Sequence, residues 1–153
     1  MEIKKLKKEE MPALAKMLRE YWQSRSSSMR YSQKWAENYL RKGHAIEIKK
    51  EVFLVAKEKK EVVGNISVIV WEGRVAELRD FLVKPRERGK GIGRRLFTEA
   101  ILFCKKNNVR KVFLLIFPNL EEMLERKGFT REGVLHDHFA CGEDLIIMSK
   151  FLK

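Results

Sequence analysis

Three glycines alternate through Gly89, Gly91 and Gly93, and Arg86, Arg88, Lys90, Arg94 and Arg95 crowd the same turn. Alternating glycines leave successive backbone N–H groups unshielded, and at a helix start those groups carry partial positive charge. Such a turn binds phosphate. A Walker loop is excluded because Lys90 is followed by Gly91 and not by the hydroxyl residue that holds magnesium. A dinucleotide fingerprint is excluded because Arg94 stands where its third glycine belongs, and no early βαβ unit precedes it. An ordinary basic turn is the bland alternative.

The other residues able to do chemistry lie on either side of this loop. Strand alternation predicts Glu77, Arg79 and Phe81 on one face and Asp80 on the other. The plain reading of Glu77 is half of a cross-strand salt bridge. His136 and His138 share a strand face, but no third ligand stands at zinc spacing, so no metal is expected. His136, His138 and Cys141 are open to a catalytic role or to plain surface and packing roles, and His44 reads as surface or packing.

These residues need elements to position them. Ile3 and Leu6 suit a short first strand, and 11–22 has helical spacing with Pro12 in the first turn. A polar break at 24–28 follows, then a helix capped by Ser32 and closed by Gly43. Tyr21, Tyr31 and Tyr39 with their neighbouring tryptophans read as packing, or as a wall for an acceptor. Three strands come next, at 52–57, 62–71 and 74–83, with turns at Glu58-Lys59-Lys60 and Glu72-Gly73. Gly64 marks a bulge or a close backbone approach. Ile92, Leu96, Phe97, Ala100, Ile101, Phe103 and Cys104 trace one face of a helix ending near Asn107. The strand 112–117 should run parallel to the one ending at Val83, because a helix crosses between them. Asn119 is placed to cap a short helix over 120–127, closed by Gly128, before a final hairpin of 129–139 and 144–152.

The chain of 153 residues fits one domain with a substantial core. Its 44% hydrophobic and 35% charged content is that of a folded protein. No apolar run reaches the roughly 18 residues of a membrane span, no signal peptide is expected, and two cysteines make neither a disulfide framework nor a zinc site. Cytoplasmic location is the expectation. The net charge of +12 admits nucleic-acid binding, but lysines and glutamates interleave over much of the chain, as on a heat-adapted surface. Nucleic acid is therefore the weaker reading.

Val83-x-Pro85, then Arg88-x-x-Gly91-x-Gly93 on a strand–loop–helix, resembles the coenzyme A pyrophosphate loop of the GNAT family of N-acetyltransferases. The Gly128-Phe129 pair after a short helix and the closing strand to Leu152 extend the resemblance over nearly the whole chain. It implies an α/β fold of the N-acyltransferase type, a mixed sheet of about six to seven strands with a splayed parallel pair and about four helices, as one N-acetyltransferase domain over 1–153. Acetyl-CoA is the implied cofactor, lying in the splay. The amides of Gly89, Lys90, Gly91, Ile92, Gly93 and Arg94 would take the pyrophosphate, with Arg88 bracing the loop or meeting a phosphate edge. Leu82 and Val83 would hydrogen-bond the pantetheine arm, and the Phe81 amide would stabilise the oxyanion. Lys84, Arg86 and Arg126 are candidates for the 3′-phosphate.

By the same resemblance Glu77 takes the position of the general base. The family's tyrosine acid falls on Leu124, and its asparagine falls on Phe117, so Asn119 matches only with a shifted helix start. The implied function is acetyl transfer to a primary amine, either a protein N-terminus or lysine or a small amine, by direct attack. The alternatives are a non-catalytic acyl-CoA-binding module and a basic nucleic-acid binder. The acceptor, the acyl-chain length and the oligomeric state are left open, a homodimer among the options.

Overall fold

Helical spacing in the N-terminal third delivers two helices, α1 (Met11–Arg25) and α2 (Gln33–Lys42). The computed structural model describes residues 4, 6–25, 30–42, 48–58 and 61–153, and divides the chain into two units, Met1–Ile48 and Lys49–Lys153. In the first unit Ser32 caps α2 as its residue type predicts, its Oγ accepting the Trp35 N–H at 3.0 Å. Gln33 Nε2 ties α2 to α1 by donating to the Pro12 carbonyl at 3.2 Å. The aromatics stack as a ladder, with Tyr31 edge-on to Trp35 at 4.8 Å and Trp35 stacked on Tyr39 at 5.4 Å. The expected first strand is corrected at Leu6, which is exposed and outside any strand; a 3₁₀ turn at Lys8–Glu10 leads into α1 instead. Ile3, Gly43, His44, Lys59, Lys60 and residues 26–28 of the polar break lie outside the described residues.

The second unit is a six-stranded mixed sheet. Its strands are β1 (Ile48–Glu58), β2 (Glu61–Trp71), β3 (Val75–Val83), β4 (Lys111–Ile116), β5 (Thr130–Ala140) and β6 (Glu143–Phe151), ordered β1-β2-β3-β4-β6-β5. Helix α3 (Ile92–Lys106) crosses from β3 to β4, and the short α4 (Glu121–Glu125) follows β4. The periodic face of α3 is the one buried: Leu96, Phe97, Ala100 and Cys104 join Ile66, Val68, Ala76, Leu78, Val112 and Leu114 in one core. Each large aliphatic side chain fully buried here contributes roughly 1.5–3 kcal/mol.

The sheet is tight at one end of its parallel pair and open at the other. At the tight end the Arg74 guanidinium donates to Asn108, once to its carbonyl and once to its side chain, both at 2.8 Å. The Arg110 N–H donates to the Arg74 carbonyl at 2.7 Å. The parallel ladder then holds for Val75↔Lys111, Ala76↔Val112 and Glu77↔Phe113, and stops, although β3 continues to Val83. From Leu78 onward the β4-facing edge of β3 has no ladder partner among the described residues.

One expectation about β3 is overturned. Between the pairs Asn65↔Leu82 and Ser67↔Arg79, one residue of β2 faces two of β3, which is a bulge at Asp80 and Phe81. Asp80 has φ 49°, a left-handed backbone that costs an L-residue about 1–2 kcal/mol. The extra residue reverses the alternation. Asp80 now shares the face of Glu77 and Arg79, its carboxylate bonded to Ser67, while Phe81 turns to α3 and meets Phe97 at 6.1 Å. Gly64 is the predicted close approach: a Cβ there would lie 3.0 Å from Leu96 Cδ1 and 3.1 Å from the Leu82 carbonyl.

The other correction concerns Asn119. A 3₁₀ turn at Pro118–Leu120 absorbs it, Leu120 occupies the cap position of α4, and no side chain caps that helix. Proline at the first position of the turn starts the coil two residues before the helix start that capping logic expects.

Candidate active site

The glycine loop takes the conformation that its composition requires. Gly89 and Gly91 have φ 80° and 78°, and a Cβ at either would meet nothing within 4 Å, so backbone geometry and not crowding demands glycine. Gly91 is the N-cap of α3 and offers no side chain to the helix end. The first helical bond runs from the Arg95 N–H to the Gly91 carbonyl at 3.1 Å, which leaves the amides of Ile92, Gly93 and Arg94 without a helical acceptor. They border a concavity of about 370 Å³ lined also by Val83, Glu87, Arg88, Gly89 and Gly91. Gly93 has a further reason: a Cβ there would sit 3.2 Å from the Phe81 ring, so its small size lets α3 approach β3.

Charges around the loop are arranged, not merely clustered. Arg88 Nε donates to the Val83 carbonyl at 3.1 Å and pins the loop to the end of β3. Lys90 donates to Glu87 at 2.7 Å, which raises the lysine's pKa; Glu87 is a carboxylate at the rim of the anion concavity that sequence reasoning did not single out. Of the three cations considered for a further phosphate, Lys84 is paired with Glu61 and Arg126 with Glu122. Arg86 is exposed at the 3₁₀ turn Pro85–Glu87.

Where β3 and β4 part, a cleft of about 190 Å³ opens, lined by Leu78, Phe81, Phe97, Leu114, Phe117 and Leu124 among others. Leu82 and Val83 continue the free edge of β3 from this cleft to the loop, Leu82 exposed and Val83 half-buried. Glu77 sits at the fork, the last residue of β3 paired to β4 and only 7% exposed. Its carboxyl is held above the usual range, first by burial and further by the neighbouring Asp80, against the opposing pull of Arg79. The ion pair is Arg79 Nε to Glu77 Oε1 at 3.4 Å, along one strand and not across two.

Leu124 is 2% exposed and brings no proton donor to the cleft it lines. His136, His138 and Cys141 do not line it either. They lie exposed on the β5–β6 hairpin, where His136 Nδ1 is 2.8 Å from Asp144 Oδ2. The Asp137 N–H also donates to Asp144, at 3.0 Å, and these bonds lower the Asp144 pKa. The hairpin reaches the cleft rim through Phe139, edge-on to Phe117 at 5.0 Å. Asn119 is exposed and lines neither the cleft nor the concavity. No cluster of three or more metal-ligating side chains exists among the described residues.

Sequence reasoning missed the residues that shape the bulge: Ser67, Asn65 and Asp80. The available signals were a buried serine in an apolar strand and the tolerance of aspartate for left-handed backbone.

Comparison with known proteins follows the same lines. The model of the acetyltransferase (GNAT) family matches residues 11–129. An acetyltransferase from Bacillus cereus superposes with TM-score 0.65 at 18% identity, covering 99% of this chain and 98% of its own. Ribosomal-protein-alanine N-acetyltransferase from Brucella melitensis has TM-score 0.58 at 26% identity, with 99% and 100% covered. An aminoglycoside 6′-N-acetyltransferase crystallised with coenzyme A has TM-score 0.60 at 17% identity, with 99% and 95% covered. No curated protein matches the chain.

Proposed function

Because the chain belongs to the acetyltransferase (GNAT) family, we propose that it is an N-acetyltransferase domain over its whole length, moving the acetyl group of acetyl-CoA to a primary amine. One observation carries this reading: the unbonded edge of β3 runs from the apolar cleft directly into a nest of free helix N-terminal amides. That order suits a thioester, an amide-bearing arm and a diphosphate in sequence.

Acetyl-CoA, when bound, supplies an acetyl thioester reactive toward amines. The residues present fit it. The amides of Gly89, Lys90, Gly91, Ile92, Gly93 and Arg94 bind the diphosphate, and Arg88 keeps that loop fixed to Val83. Leu82 and Val83 offer main-chain hydrogen bonds as an edge strand does to a further strand. The Phe81 N–H stabilises charge developing on the carbonyl oxygen, a role typically worth about 3–4 kcal/mol of barrier. Asn119 stands beyond the cleft, available to the coenzyme only at its periphery.

Glu77 takes the proton of the acceptor ammonium. A free alkylammonium has a pKa of about 10.4, so at neutral pH the attacking amine is scarce without such a base. A carboxyl held above its ordinary range is better matched to this task than an exposed one. No proton donor is needed for departure of the thiol, whose pKa of about 8.5 makes its thiolate a tolerable leaving group.

The test is steady-state acetylation of a broad amine panel, including alanine-terminated peptides, lysine peptides and aminoglycosides. Turnover of a primary amine is the expected result. Leu124 motivates the second reading, a non-catalytic acyl-CoA-binding module: tight coenzyme binding with no turnover on any acceptor would establish that one instead.

A further inference from the structure

Ser67 is buried to 1% exposure between Ile66 and Val68, both 0% exposed, in a stretch of β2 that is otherwise apolar. A hydroxyl there is costly unless it is bonded. Its partner is on the neighbouring strand and out of register: Ser67 is paired with Arg79, yet its Oγ donates to Asp80 Oδ2 at 2.9 Å. Two places along β2, Asn65 Nδ2 donates to the Asp80 carbonyl at 3.1 Å. One residue of β3 has a left-handed backbone and belongs to no loop, and both its side chain and its main chain are held from β2.

The consequence reaches the cleft. A one-residue change in strand register exchanges the two faces and redirects every following main-chain group. Without the bulge, Phe81 would leave Gly93 and Phe97 for the face of Glu77, and the main-chain groups of Phe81, Leu82 and Val83, which alternate between the two edges of β3, would each trade the edge they face for the other. We propose that Ser67 is a positioning residue for acetyl transfer: its buried hydroxyl, seconded by Asn65, holds Asp80 in the bulge and so sets which main-chain groups of 81–83 front the splay. This rests on the acetyltransferase reading for its catalytic consequence, but not for its structural one.

The experiment uses the full chain and two readouts. Hydrogen exchange, measured without substrate, should quicken about tenfold over residues 79–83 in Ser67→Ala, with peptides of α3 and β6 unchanged. On the amine that the parent chain acetylates, kcat should fall about tenfold while KM for acetyl-CoA moves less than about threefold, because misplacement at a reacting centre is felt in the chemical step. Ser67→Thr, which retains the hydroxyl, should return both readouts toward parent values. Unchanged exchange over 79–83, or loss of protection spread evenly over the sheet, would overturn the proposal. Should Ser67→Ala fail to fold, Asn65→Ala at a half-buried site decides in the same way: local deprotection supports the brace and unaltered protection refutes it. A parent chain that acetylates nothing would count against the acetyltransferase reading, and the exchange readout would still decide on the brace.

Discussion

Glu77 and Leu124 are the two residues on which the proposed chemistry turns. Glu77 is buried, faces Arg79 and Asp80, and holds its proton more firmly than an ordinary carboxyl. Glu77→Gln should lower kcat about 10²-fold with near-normal coenzyme affinity, measured by steady-state kinetics and calorimetry. The rate of the parent should climb with pH through a limb lying above the ordinary carboxylate pKa of about 4.3, and Glu77→Gln should lack that limb. Stability should run the other way. A folded pKa raised above the unfolded one means the folded state binds more protons in that window, so the residue's contribution is full below the unfolded value and is lost as pH rises through the folded value. Chemical denaturation across this range should therefore show the parent losing stability relative to Glu77→Gln as pH increases. At Leu124 the side chain is a core residue lining the cleft. Leu124→Tyr should cost about 1–3 kcal/mol by overpacking. If leaving-group protonation limits the parent, its kcat at saturating amine should rise, and a fall in both Tm and kcat would show the cleft has no room for a phenol.

At the scale of elements, the β3–α3 junction was the most legible part of the sequence. Alternating glycines before an amphipathic helix marked the turn, and the structure gives Gly89 and Gly91 the left-handed backbone that glycine tolerates. The crossing helix and the parallel pair were likewise readable from periodicity and connection length. The bulge was not. Alternation predicts faces only while the ladder is regular, and Asp80 leaves it through bonds to Ser67 and Asn65 that are 13 and 15 residues away. A polar residue in a strand carries no mark of which partner will hold it. Asn119 failed for a related reason, since Pro118 initiates a 3₁₀ turn that moves the cap to Leu120. The loop also makes a sharp prediction. Gly91→Ala, forced to φ 78° with open space around its Cβ, should cost about 1–2 kcal/mol and weaken coenzyme binding modestly. Gly91→Glu adds a carboxylate to the same nest and should abolish binding, as read by calorimetry, while leaving the circular dichroism of the sheet and helices unchanged.

Over the whole molecule, the family match runs across both units of the chain, and the +12 net charge is dispersed in pairs as well as gathered at the loop. Lys84, Lys90, Lys111 and Arg126 are each matched with a carboxylate, so the surface is less uniformly attractive to polyanions than the total suggests. No helix among the described residues is long and apolar enough to cross a membrane. The positive charge at the β3–α3 turn that has no carboxylate partner among the described residues, with the helix-start amides behind it, is where the proposed anion would bind. The central claim is that this turn grips the diphosphate of coenzyme A, and titration calorimetry of the intact chain with coenzyme A and acetyl-CoA tests it most directly. The expected isotherm has one site per chain, weakens as salt is added, and vanishes in Gly91→Glu. Absence of heat from the folded parent at millimolar coenzyme, or an isotherm that Gly91→Glu leaves intact, would contradict the account.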